Sequence, residues 1–198
     1  MKFRATRDAR KVCGDALEMR GGIGYIEEFA TGRLLRDAHL GSIWEGTGNI
    51  VAIDALTRAV GRHGADAALA ADLHARLDDS TNVPGAYRDR MRALTDRAVG
   101  FAREVAGRRD HEADARRATS LLYHVASAVA LSWEAGRIHE MRGDARRLLL
   151  SRLVIDHRLL ASDPFHLADN ATQRAITDLL LGDRAVGMAE AAELVAAA

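Results

Sequence analysis

The sequence predicts an all-α helical bundle, and three observations carry that reading. The 198 residues include only 2 Pro, and aromatic residues make up 5%. Ala, Leu and Arg, which favour helix, fill long stretches, while β-branched runs that favour strands are nearly absent. The breaks are few and sit at clustered Gly, Pro, Asn and Ser, where turn geometry is inexpensive. The length allows one domain or two small ones with a real core.

Residues 3–20 read as a first helix, with Phe3, Val12, Ala16 and Met19 on related turns. Gly21, Gly22 and Gly24 in "RGGIGYIEEFATG" end it in irregular backbone. A short helix follows at "RLLRDAH", and "LGSIW" is a loop. Thr47 is placed as the N-cap of a helix from Gly48 to Val60, with Ile50, Ile53 and Leu56 on one side. After the break at Gly61–Gly64, residues 65–78 and 86–107 form amphipathic helices around the turn "DDSTNVPG". Residues 110–142 form one long helix closed by Gly143, and 144–160 another, stopped at Pro164. Two shorter helices, 169–181 and 184–196, complete the chain. Two regions are expected, 1–60 and an additional helical bundle over 65–198.

Lys+Arg is 28 and Asp+Glu is 28, so the net charge is zero. This excludes a whole-chain attraction to nucleic acid or anionic membrane. Only Lys2 and Lys11 are lysines; every other cation is Arg, suited to paired helix faces. Between Arg103 and Arg158, eleven Arg face eight acids, a mild excess that favours ion-paired surface over a nucleic-acid face. The single Cys13 excludes an internal disulfide, fits a reducing cytoplasm and reads as a small buried side chain. No apolar window spans a bilayer, and the first residues lack a signal-peptide core.

The chemistry concentrates in "SIWEGTGNI". Glu45 lies between apolar Trp44 and Gly46, and Ile43 and Trp44 beside it imply partial desolvation, which favours a general base. A helix-start acid welcomed by the dipole is the plainer reading of the same spacing. "GGIGY" can bring backbone N–H groups near a phosphate, or simply cap a helix. No metal site is expected. His111, Glu112 and Asp114 read as a solvated helix start, and Asp156, His157, Asp163 and His166 lack ligand spacing. His124 and His139, beside Tyr123 and Trp133, read as core or boundary residues.

Taken in order, "ALEMRGGIGYIEEFATGRLLRDAHLGSIWEGTGNIVAIDAL" closely resembles the C-terminal segment of FAD-dependent acyl-CoA dehydrogenases. Gly-Gly-x-Gly-Tyr, Arg-Asp-Ala and Glu-Gly-Thr occur in fixed order and spacing over roughly residues 1–60. The helices after Val60 resemble the AidB-like subgroup with a lengthened C-terminal region. The resemblance implies a four-helix up-and-down core with extra C-terminal helices. It makes Glu45 the base that removes the α-proton of an acyl-CoA and Thr47 a flavin contact. Gly21 and Gly22 become contacts to the adenosine-diphosphate part of FAD, often across a subunit interface, with Glu18 where many members carry Gln. Trp44 lines the acyl pocket, and Arg36 and Asp37 give structural support, Arg36 by holding the catalytic loop. It also implies a cytoplasmic homo-oligomer in fatty acid metabolism. The family's N-terminal helical and middle β domains are not found in this sequence, so the chain alone is expected to lack FAD and activity. The alternatives are a helical DNA- or protein-binding module, and an inactive self-associating fragment.

Overall fold

The computed structural model describes residues 1–161, 165 and 170–196, with Arg109 described by its backbone alone. Asp163, Pro164 and His166 lie outside the described residues. Every regular element among the described residues is helical, as the composition predicts. None of these helices is long and apolar enough to cross a membrane. The chain divides into two compact units. One comprises residues 1–64 with 102–123, the other 65–101 with 124–198. The Gly61–Gly64 break is thus a unit boundary, and residues 102–123 count with the N-terminal unit.

In the first unit, α1 (Lys2–Met19) packs against α2 (Gly22–Tyr25), α3 (Thr31–Leu40) and α4 (Gly48–Asp54). Gly21 ends α1 at φ 57°, a left-handed conformation that glycine adopts without a Cβ clash. Gly24 answers a different need. A Cβ there would stand 2.2 Å from the Leu17 carbonyl oxygen, so only glycine lets α2 fold back onto α1. α4 continues into a π-helical turn, Ala55–Val60, closed by Gly61 N–H donating to the Leu56 carbonyl at 2.8 Å.

The apolar faces read from the sequence are only partly buried. Phe3 and Leu56 are core residues, but Val12, Met19 and Ile50 are exposed and Cys13 is half-buried. Their helical spacing is right, yet these sides of α1 and α4 are left uncovered in the unit.

The second unit holds α5 (Ala65–Asp79), the first part of α6 (Gly85–Gly107) and the later part of α7 (Ala115–Arg142). It also holds α8 (Arg146–Val154) with a π-helical turn (Ile155–Leu159), α9 (Ala171–Leu181) and α10 (Met188–Ala196). Val125, Ala128, Val129, Ser132 and Ala135 recur every three or four residues on α7 and are all buried. The Tyr87 hydroxyl donates to Ser151 Oγ at 2.9 Å, and Ser151 donates to the Ala128 carbonyl at 2.8 Å. Arg152, 7% exposed, donates to the Leu194 and Val195 carbonyls at the end of α10 and pairs with Asp156. Its charge is therefore satisfied where an unpaired one would be costly.

Several helix starts differ from the sequence reading, among them a helix at Gly22–Tyr25 where the sequence predicts irregular backbone, and three have a visible cause. Residues Arg109–Asp114 form a 3₁₀ turn, and α7 begins only at Ala115. Ala115 is also where burial begins, and the acid-rich run before it has no packing to hold an α-helix. α8 starts at Arg146 because Asp144 Oδ1 accepts the N–H groups of Arg146 and Val186. α10 starts at Met188 because Val186 pairs back with Ala145, its carbonyl accepting the Ala145 N–H at 2.7 Å. Local pairing of side chain and backbone displaces the helix in both cases.

Candidate active site

The turn between α3 and α4 carries the candidate base. Glu45 has φ 61°, the single positive value at a non-glycine residue among the described residues, and Gly46 follows at φ 104°. Two consecutive left-handed residues reverse the chain sharply and turn the Glu45 side chain outward. Lys2 on α1 steadies the turn twice. Its ammonium pairs with Glu45 Oε2 at 3.1 Å and donates to the Trp44 carbonyl.

The desolvation expected from Ile43 and Trp44 is absent. The two are 62% and 63% exposed, and the Glu45 side chain is 82% exposed. At this reversed turn all three side chains are largely exposed, so apolar neighbours in sequence do not enclose the carboxylate in space. Trp44 likewise stands open at the surface of the chain by itself.

Thr47 takes the N-cap position with extended backbone, φ −67° and ψ 162°, and its carbonyl accepts the Val51 N–H at 3.0 Å. Its hydroxyl makes no cap bond, contrary to the reading of a capping side chain. That exposed hydroxyl is left beside Glu45 and Gly46.

Gly21 and Gly22 form the N-terminal turn of α2. No atom stands within 4 Å of where a Cβ would sit on either, so their backbone is open to an approaching group. Glu18, in the last turn of α1, is exposed.

Arg36 grips Glu27 with two hydrogen bonds, Nη1 to Oε1 at 2.7 Å and Nη2 to Oε2 at 3.2 Å. The hydrogen bonds and charge of Arg36 hold the Glu27 carboxyl below its ordinary range and raise the guanidinium in return. Arg36 therefore ties the 26–30 loop to α3. Asp37 is exposed on α3.

Sequence reasoning did not single out the residues opposite the turn. A cleft of about 260 Å³ lies between α1 and residues 41–48, and Lys2, Arg7 and Arg10 line it with Ser42 and Thr47. Cations spaced along an amphipathic helix look like an ordinary solvated face, so no sequence signal marked them.

Elsewhere, among the described residues no three His, Cys, Asp or Glu side chains gather to hold a metal. Much of the Arg excess is spent on ion pairs: Arg108 with Asp110, Arg137 with Asp79, Arg147 with Glu134 and Arg152 with Asp156.

Residues 1–77 match the family described as acyl-CoA dehydrogenase, C-terminal domain. Three similar proteins are AidB of Escherichia coli, a mitochondrial isovaleryl-CoA dehydrogenase of Arabidopsis thaliana and the caffeyl-CoA reductase-Etf complex subunit CarC of Acetobacterium woodii. AidB is 44% identical over 55 residues, 28% of this chain and 10% of its own length. The isovaleryl-CoA dehydrogenase is 52% identical over 46 residues, 23% of this chain and 11% of its own. CarC is 37% identical over 49 residues, 25% of this chain and 13% of its own. The matched stretch thus spans about a tenth of each relative. No solved structure matches the chain.

Proposed function

With residues 1–77 matching the acyl-CoA dehydrogenase C-terminal domain, we propose that the first unit supplies the proton-abstracting turn and part of the FAD surface of an acyl-CoA dehydrogenase-type oxidoreductase. The observation that carries this reading is the backbone at Glu45. Strain of this kind persists where the surroundings enforce it and clusters at functional sites. Here it falls on the one carboxylate that the motif order nominates as base.

The α-proton of a thioester is weakly acidic, so its removal needs a carboxylate fixed within hydrogen-bond reach and shielded from water. Glu45 supplies the carboxylate, and the paired left-handed residues fix its direction. To accept a proton, Glu45 Oε2 must first release the Lys2 ammonium. The open backbone of Gly21 and Gly22 fits the adenosine-diphosphate part of FAD, and the uncommitted Thr47 hydroxyl fits a contact to its flavin. FAD, when bound, supplies the acceptor for the β-hydride that leaves as Glu45 takes the α-proton. Trp44 forms one wall of the acyl pocket once a further element covers it. Arg36 and Asp37 support α3, which leads into the catalytic turn.

The test joins this chain to the N-terminal helical and middle β domains of an acyl-CoA dehydrogenase and follows flavin bleaching by acyl-CoA. Glu45→Gln is expected to slow bleaching by about 10²–10⁴-fold, the usual contribution of a positioned base. Undiminished bleaching in the variant would remove Glu45 from the role.

A further inference from the structure

We propose that the cleft between the N-terminal half of α1 and residues 41–48 binds the phosphate or pyrophosphate group of a small molecule. The inference does not depend on the catalytic reading. The cleft is distinct from the Gly21–Gly22 turn, which lies roughly 16 Å beyond Arg10 at 1.5 Å of rise per residue.

Charge is the first argument. Lys2, Arg7, Arg10 and His39 line the cleft, and no carboxylate does. The nearby acids are already engaged: Asp8 pairs with Arg4 at 2.6 Å, and Glu45 with Lys2. Among the described residues no carboxylate pairs with Arg7, Arg10 or Arg116. Arg7 is held below the ordinary guanidinium range, by burial first and then by Arg116, Arg10 and Arg4, with Asp8 opposing. A set of like charges this close calls for a compensating anion.

Hydrogen bonding is the second argument. Arg10 Nε is buried and has no partner. Arg10 Nη1 donates to Ser42 Oγ at 3.3 Å, and Ser42 donates to the His39 carbonyl at 2.9 Å. The guanidinium fork is thus held at the cleft with donors to spare. Two Arg forks suit the several oxygens of a phosphate or pyrophosphate better than a monovalent halide. The volume of about 260 Å³ admits a group of that size.

The test titrates the full chain with inorganic pyrophosphate by calorimetry, ionic strength being held constant with sodium chloride. Saturable binding is expected, weakened at least tenfold in Arg7→Gln and in Arg10→Gln and unchanged in Arg62→Gln. Binding that does not saturate, or that Arg10→Gln leaves intact, would overturn the proposal. Ser42→Glu gives an independent reading, because it places a carboxylate beside Arg10. It is expected to raise the thermal midpoint without added anion and to abolish pyrophosphate binding; a lowered midpoint with binding retained would overturn the site. A parallel titration with ADP separates the sources. Tighter binding than pyrophosphate assigns a phosphate ester, and equal or weaker binding assigns the free ion.

Discussion

At Glu45 the backbone carries a testable cost. An L-residue in the left-handed region loses about 1–2 kcal/mol to Cβ contacts, and glycine does not. Glycine in turn loses about 0.5–1 kcal/mol more conformational freedom on folding. The exposed Lys2 pair contributes little to stability. Glu45→Gly is therefore expected to stabilise the chain by a few tenths to about 1 kcal/mol in urea unfolding, whereas Glu45→Gln stays near neutral. A less stable Glu45→Gly would show that the turn stores no strain. The motif order made Glu45 legible as a candidate, but its conformation and exposure were not legible. Sequence neighbours such as Trp44 say what could desolvate a carboxylate; the turn decides which way they point. Gly24 is the converse case. It reads as one more turn glycine, and only the path of α2 across Leu17 shows why a Cβ is forbidden there.

Helices and their order were legible because 3.6-residue periodicity and Gly breaks are local signals. Helix starts were less so, since Asp144 and Val186 meet only in the folded chain. The Tyr87–Ser151–Ala128 chain is another such meeting, joining α6, α8 and α7. Burial pushes Tyr87 up to about 12, against about 10 for an unfolded tyrosine. Between these values the unfolded chain releases its proton and the folded chain keeps it. The folded state therefore has its full stability below pH 10 and loses it as pH rises toward 12. The loss is about 2–3 kcal/mol. Tyr87→Phe is expected to flatten this alkaline slope while costing about 1 kcal/mol at pH 7. An unchanged slope in denaturant titrations from pH 9 to 12 would show that Tyr87 does not carry it.

Across the whole chain, apolar burial is distributed unevenly. Among the described residues, 12 of the 17 large hydrophobic residues that are exposed lie between Met1 and Ile50, whereas Phe3 alone represents that stretch in the hydrophobic core. The second unit is the opposite, with Leu77, Met91, Leu148, Leu149, Ile155 and Ile176 all essentially inaccessible. The region with the most recognisable sequence is thus the one least able to cover its own apolar surface. Local pattern identifies an amphipathic helix, but what covers its outer face lies beyond local pattern. Met19, Ile23, Tyr25 and Leu34, all more than half exposed, lie on α1, α2 and α3, which pack together, and grouped exposed apolar side chains mark association surfaces. The chain alone is therefore expected to self-associate, with a dissociation constant below about 100 μM, on the order of −5.5 kcal/mol. Leu34→Glu should shift it toward monomer, because a buried unpaired carboxylate opposes association. Sedimentation velocity across a concentration series checks this, and a clean monomer at about 100 μM would dispose of it. Absorbance recorded on the same samples reports FAD. The preparation is expected to be colourless, because Gly21, Gly22 and Thr47 are exposed and enclose little of a ligand whose affinity normally requires burial of most of its surface. Flavin near one equivalent in the associated species would show instead that a second copy completes the cofactor site.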